Sequence, residues 1–333
     1  MTAIIDLKFN SFLGGLPVTF FFVLSGFLIT SLLLAEKAET GTIRVKRFLT
    51  RRARRIWPLY YLVLAAGYGI SIFVLGDTSA NVLANGLLVN LLLLPNLAFA
   101  LGLIPDILIQ IWSIGTEEQF YLVWPFLLRR MKEKNLVRVF VGIICFWLVA
   151  RVVLRLVGIS DDWLNILLFR TRMDCMAIGA FAALLLRQRE SGTEKWAGVS
   201  RLVDHQLTGW VASVVFLLLL LLSYRYQVSL YQLYAVLSAI LILRVIRRPA
   251  SWLESGVFRY LGKISYGIYL LQHFVIFFIF KAWIEKQWRP PFTGFPGSRI
   301  GGIGIFLLAV LLTTGLAALS YTFFESRFLK RKV

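Results

Sequence analysis

Apolar runs of bilayer-spanning length recur along the chain, separated by short clusters rich in arginine and lysine. Stretches such as Leu87 to Leu94 and Phe216 to Leu222 are almost wholly apolar, where a soluble helix or strand would alternate apolar with polar positions. A lipid-spanning helix needs about 20 such residues. The pattern predicts spans at about 16–35, 56–75, 139–157, 173–186, 207–223, 229–246, 264–284 and 302–324. Residues 83–128 hold two further apolar pieces, 83–104 and 111–128. The longest polar stretches, 36–55 and 187–206, are too short to bury a core of their own. The expected fold class is therefore an all-α polytopic integral membrane protein with about nine transmembrane helices.

Charge orients these spans. The loop from Glu36 to Arg55 carries Lys37, Arg44, Lys46, Arg47, Arg51, Arg52, Arg54 and Arg55, and by the positive-inside rule it faces the cytoplasm. Residues 129–138, 187–206, 244–263 and the tail Lys330-Arg331-Lys332 follow inside. Residues 76–82, 158–172 with Asp161 and Asp162, and the Pro-rich 287–299 fall outside. Region 83–128 must begin outside and end inside, so one of its two pieces is expected to be re-entrant or partly inserted. The first span then runs inward from an external Met1, as though a preceding helix were missing, and residues 1–15 read as an external loop.

Composition narrows the class further. The 333 residues are 59% hydrophobic with a mean hydropathy of +0.76. The net charge of +19 invites a nucleic-acid reading, but the basic residues are spread over short loops and do not gather on one folded face. No nucleic-acid partner is expected; the lipid bilayer is. Cys145 and Cys175 both fall in apolar segments, which speaks against a disulfide framework and against a metal site.

Against that background the acids stand out. In Trp112-Ser113-Ile114-Gly115-Thr116-Glu117-Glu118-Gln119-Phe120-Tyr121-Leu122-Val123-Trp124-Pro125 two carboxylates sit in a lipid-compatible stretch. A charge at mid-bilayer costs about 2.5–3.5 kcal/mol on insertion scales, so it marks a functional site or a locked pair. Helical spacing puts Ser113, Glu117, Tyr121 and Trp124 on one face and Glu118 elsewhere. Glu117 either pairs with an arginine to lock the bundle or works in an active site.

Other polar residues carry two readings each. Arg52 and Arg55 share a helix face with Arg51 beside Arg55, a fork suited to phosphate at the membrane edge; basic clusters also serve topology or bind anionic lipid. Arg172 and Asp174, at the outer end of a span, could form a buried pair or bond a polar acceptor. His273 is the one histidine within a span, either a general base or a helix contact partnered by Tyr266 or Tyr269. Glu325 follows the last span and is expected to pair with Arg327 or a loop arginine.

Taken together these segments resemble the acyltransferase 3 family of multi-pass membrane acyltransferases. The matching pieces, in order, are Phe21 to Ile29 with Ser25, Arg51 to Pro58, Trp112 to Pro125, Arg172 with Gly179, and Leu261 to His273, with Glu325 closing the chain. The resemblance implies an acyl-CoA donor, acetyl-CoA first, bound on the cytoplasmic side, and a hydroxyl acceptor on a cell-surface polysaccharide or lipid-linked sugar. It implies one acyltransferase domain over 1–333 without an appended soluble domain, in the plasma membrane with a cytoplasmic C-terminus. Arg52 and Arg55 match the motif assigned to the CoA phosphates; Ser113 and Glu117 match the central motif.

The resemblance also implies a departure. The family opens with a helix that carries a histidine taken as the catalytic base, and no counterpart is expected here. His273 matches a different family histidine. A start placed too late, a truncated remnant or a divergent enzyme using His273 or Glu117 would each produce this pattern, the first being preferred. The alternatives to an acyltransferase are an inactive relative that binds the donor without turnover, and a carrier or flippase for lipid-linked substrates, although no repeated halves are visible.

Overall fold

The computed structural model describes residues 2–76, 81–157, 171–190, 205–226, 231–284 and 299–329, with single positions 198, 201 and 203 between them. Asp161 and Asp162, the Pro-rich segment 287–298 and the tail Lys330-Arg331-Lys332 lie outside the described residues, as do parts of the expected loops 76–82 and 187–206.

All regular structure among the described residues is helical. In chain order the helices are α1 (Thr2–Thr40), α2 (Val45–Phe73), α3 (Leu87–Leu91), α4 (Pro95–Ala100), α5 (Trp112–Arg130), α6 (Glu133–Leu156), α7 (Met173–Glu190), α8 (Gln206–Tyr226), α9 (Tyr231–Arg247), α10 (Gly256–Ile284), α11 (Arg299–Ser320) and the short α12 (Ser326–Leu329). Each predicted span coincides with a helix. Five helical stretches are long and apolar enough to cross a membrane: Leu16–Thr40, Val45–Phe73, Asn135–Leu154, Gly256–Ile279 and Gly304–Leu329. The described residues thus establish five candidate spans where the apolar pattern predicts about nine. Helices α7 and α9, at 18 and 17 residues, are short or carry charge at their ends.

One sequence expectation changes and another is narrowed. Residues 2–15, read as an external loop, belong to α1. Ile5, Phe9, Phe12 and Leu16 recur at helical period, and no proline intervenes before Pro17. The apolar piece 83–104 is broken. A π-turn at Val82–Gly86 leads into α3, and together they rise only about 15 Å, half a hydrocarbon core. Leu93 then takes a left-handed backbone (φ 60°), Pro95 opens α4, and Gly102 (φ 66°) ends it before a 3-10 turn at Asp106–Ile111. Of the two pieces it is this first one that cannot cross as a single helix, whereas α5 is continuous.

The chain divides into two compact units, Met1–Val45 with Thr116–Ser251 and Lys46–Gly115 with Trp252–Val333. In the first, α1 packs on α7 at unusually close range. A Cβ on Gly26 would land on the Met176 carbonyl oxygen, and one on Gly179 would land on that of Val23, so only glycine permits the approach. The neighbouring Phe22, Val23, Cys175, Ala177 and Ala180 are buried. Trp124 of α5 stacks between Phe120 (4.3 Å) and Phe140 of α6 (5.2 Å) and donates its indole N–H to Thr30 of α1 at 2.8 Å. Lys37 of α1 donates to the Leu128, Arg129 and Met131 carbonyls at 2.7, 3.3 and 2.7 Å, closing the C-terminal end of α5.

In the second unit, tyrosines of α2 hold the broken segment. Tyr60 and Tyr61 donate to the Asn90 and Leu91 carbonyls at the end of α3 at 2.7 and 3.1 Å, and Asn90 also accepts from the Leu93 N–H at 3.0 Å. The Asn90 amide donates to Tyr68 at 3.1 Å and to the Gly86 carbonyl at 2.8 Å. Irregular backbone is tolerated at membrane depth only where protein satisfies it in this way.

Candidate functional site

Glu117 is 4% exposed on α5. Tyr121, one turn further along the same helix, donates its phenolic O–H to Glu117 Oε2 at 3.1 Å. The Tyr121 oxygen lies 2.5 Å from Ser25 Oγ of α1. Because a phenol has one hydrogen, which is given to Glu117, Ser25 is the donor in the second bond. A hydroxyl chain therefore runs from Ser25 through Tyr121 to a buried carboxylate. Its three members are each less than one-tenth exposed.

The same unit buries two arginines. Arg151 NH1 lies 2.6 Å from Asp174 Oδ2, and NH2 lies 3.2 Å from Oδ1, a bidentate pair closed off from solvent. Asp174 thus takes its partner from α6, not from Arg172 two residues away. Arg172, 1% exposed, donates to Thr19 Oγ1 of α1 at 2.8 Å and lies 3.6 Å from the centre of the Tyr231 ring. Of the two alternatives weighed for Arg172, the polar acceptor is the one observed. Arg151, Thr19 and Tyr231 escaped the sequence reading. Arg151 carried a usable signal, a lone charge within the apolar run 139–157.

In the second unit, Ser113 and Tyr269 of α10 make a similar hydroxyl pair at 2.6 Å, but Tyr269 donates onward to the Gln110 backbone carbonyl at 2.7 Å. The Gln110 amide in turn donates to the Leu270 carbonyl at 3.0 Å. His273 Nε2 is 3.0 Å from the Asp106 carbonyl oxygen. A carbonyl only accepts, so Nε2 carries the proton, and the partner is backbone where the tyrosines of its own helix were expected. Tyr266 instead donates to the Ile56 carbonyl at 2.9 Å. Contacts from Tyr266, Tyr269, Leu270 and His273, over about two turns of α10, fasten the 3-10 segment and α2 to it.

The arginine fork lies at the start of α2. Arg51 and Arg55 are exposed and Arg52 half-buried, its guanidinium carbon 5.6 Å from the Phe48 ring centre. Glu325 accepts from Ser320 at 3.0 Å, and Arg55 acts on it electrostatically without a hydrogen bond between them. Guanidinium groups so disposed suit a polyphosphate, which wants charge that no working pH removes. Cys145 and Cys175 are both free thiols.

Long apolar helices, packed with shorter ones that bury carboxylate and guanidinium groups, mark a polytopic membrane protein. The chain belongs to the acyltransferase 3 family, whose model, described as an acyltransferase domain, matches residues 2–322. It is 27% identical to a provisionally named O-acetyltransferase of Staphylococcus aureus (strain COL), over 96% of this chain and 53% of that protein. It is 29% identical to the peptidoglycan O-acetyltransferase OatA of Listeria monocytogenes, over 79% of this chain and 45% of that one. A provisionally named peptidoglycan O-acetyltransferase of Bacillus subtilis, YrhL, is 26% identical over 96% and 51%. The chain spans about half the length of these relatives. No solved structure matches it.

Proposed function

We propose that this chain is an acyl-CoA-dependent O-acyltransferase that moves an acyl group, acetyl first, from CoA to a hydroxyl of a cell-surface polysaccharide, lipid-linked sugar or similar carbohydrate. The relatives' names make peptidoglycan the leading acceptor. Residues 1–333 are read as a single acyltransferase domain of the plasma membrane with a cytoplasmic C-terminus. Support for an acid–base site comes above all from one observation, the buried Glu117 carboxylate hydrogen-bonded by Tyr121.

The chemistry assigns roles. Arg51, Arg52 and Arg55 hold the CoA phosphates. Glu117 accepts the proton that leaves the acceptor hydroxyl; the resulting alkoxide attacks the thioester carbonyl, and the CoA thiolate departs. General-base assistance of this kind is worth about 10²–10⁴ in rate. His273 and Ser113 hold the 3-10 segment against α10, with His273 the second acid–base candidate, while Arg172 and Asp174 maintain the packing of α1, α6 and α7.

Membranes containing the chain, supplied with radiolabelled acetyl-CoA and a peptidoglycan glycan fragment, test the reading. Labelled ester is expected from the unaltered protein and not from Arg52→Ala or Glu117→Ala at equal protein level. Unchanged transfer in both variants rejects the site, and absence of acetyl-CoA consumption by the unaltered protein rejects the reaction class.

A further inference from the structure

The two serine–tyrosine pairs look alike but end differently. In Ser113–Tyr269 the chain of hydroxyls terminates on a backbone carbonyl, which cannot take up a proton at any accessible pH. In Ser25–Tyr121 it terminates on a carboxylate, which can. The first is a fastener. We propose that the second is a proton relay, in which Ser25 is the catalytic group that meets the acceptor hydroxyl and Tyr121 carries the proton on to Glu117. The proposal rests on the acyl-transfer reading above and adds two residues to it.

Several features support the assignment. At 2.5 Å the Ser25–Tyr121 contact is at the short end of O–H···O bonds, where proton transfer needs least displacement. Of the three side-chain types serine is the weakest acid and glutamic acid the strongest, which sets the carboxylate as the end of the relay. The chain also reads equally well backwards. With Glu117 protonated, the carboxyl donates to Tyr121 and Tyr121 to Ser25, which gives the reset state without moving a heavy atom. Ser25, at 8% exposed against 4% for both Tyr121 and Glu117, is the outermost of the three, so the chain is entered from the serine. Ser25 is held in register by its neighbour Gly26, pressed on the Met176 carbonyl.

The step balances. The acceptor RO–H gives its proton to Ser25 Oγ as the proton of Ser25 passes to Tyr121 and that of Tyr121 to Glu117. Serine alkoxide never accumulates. The acceptor oxygen bonds to the thioester carbonyl carbon, the tetrahedral oxyanion re-forms C=O, and the C–S bond breaks. The reverse shift along the relay returns the proton to the CoA thiolate, so RO–H and acyl-S-CoA become acyl-OR and HS-CoA.

The test uses the full chain in detergent with acetyl-CoA and a soluble N-acetylglucosamine oligomer as acceptor, following thiol release and ester formation. Tyr121→Phe and Ser25→Ala are each expected to lower kcat about 10²–10⁴-fold, leaving KM for acetyl-CoA within about twofold. The double variant is expected to be no worse than either single, because one broken link already stops the relay. In mixtures of H2O and D2O the unaltered protein is expected to show a curved dependence of kcat on deuterium fraction, the mark of several protons in flight.

A Tyr121→Phe enzyme with unchanged kcat, single effects that multiply, or a straight-line deuterium dependence overturns the relay and leaves the acyltransferase reading standing. A wild-type chain that releases no thiol and forms no ester overturns both. Should the variants lose their fold, visible as lost melting transitions, the deuterium dependence of the unaltered protein decides alone.

Discussion

Arg151 and Asp174 meet in a bidentate ion pair at 2.6 Å, buried between α6 and α7. Such a pair is strongly interdependent: removing one member leaves a charge without compensation, at a cost of about 3–5 kcal/mol, whereas replacing both with apolar residues of similar volume is often neutral. Arg151→Ala and Asp174→Ala are expected to lose most of the melting stability in detergent, and Arg151→Met with Asp174→Leu to recover a good part of it. Single variants that melt with the unaltered protein would show that the pair is dispensable.

The α1–α7 contact is intolerant of added bulk. Gly26→Ala or Gly179→Ala sets a methyl against a backbone carbonyl that cannot turn aside, and overpacking of this kind costs about 1–3 kcal/mol. Gly142 and Gly69 have open space at the same point, so alanine there is the matched control. Melting temperatures of the four variants in one detergent check the contrast, and equal losses across all of them would refute it.

Lys37 should matter locally. Lys37→Met removes the donor to three carbonyls at the end of α5 while retaining most of the aliphatic stem. Amide exchange over residues 127–133 is expected to quicken, with little change in α1 itself. Exchange that is unaltered there would mean that water replaces the ammonium without penalty.

His273 is expected to behave as a fastener. His273→Gln retains an N–H able to reach the Asp106 carbonyl, and His273→Leu does not. Acyl transfer is expected to persist in the former, with the latter losing about 0.5–1.5 kcal/mol of stability. Transfer abolished in both variants at unchanged melting temperature would make the imidazole a participant in the chemistry.

Much of this was readable from residue order wherever the determinant is local. The Glu117–Tyr121 bond is a consequence of i,i+4 spacing on one helix, and the apolar runs mark the long helices. Partners brought by tertiary packing were not readable: Asp174 finds Arg151 across 23 positions, and Arg172 finds Thr19 across 153. Nor was it readable which piece of 83–128 breaks, or where. An apolar run has the same hydropathy whether or not it bends, and the left-handed turn falls on Leu93, a residue type that gives no warning of it. Gly26 and Gly179 were legible as parts of matching segments, but their reason, carbonyls pressed against bare α-carbons, needed coordinates.

That contact has a mechanical consequence. A register shift of α1 by one residue, about 1.5 Å of rise with about 100° of rotation, would turn Ser25 away from Tyr121 of α5. With each glycine seated on the other helix's backbone, axial slip is blocked, and α1 and α7 must answer a thicker or thinner bilayer by tilting as one body. The α1 end of the Ser25–Tyr121 bond is thereby held in register with α7, and its α5 end is tied to α1 separately by the Trp124–Thr30 hydrogen bond.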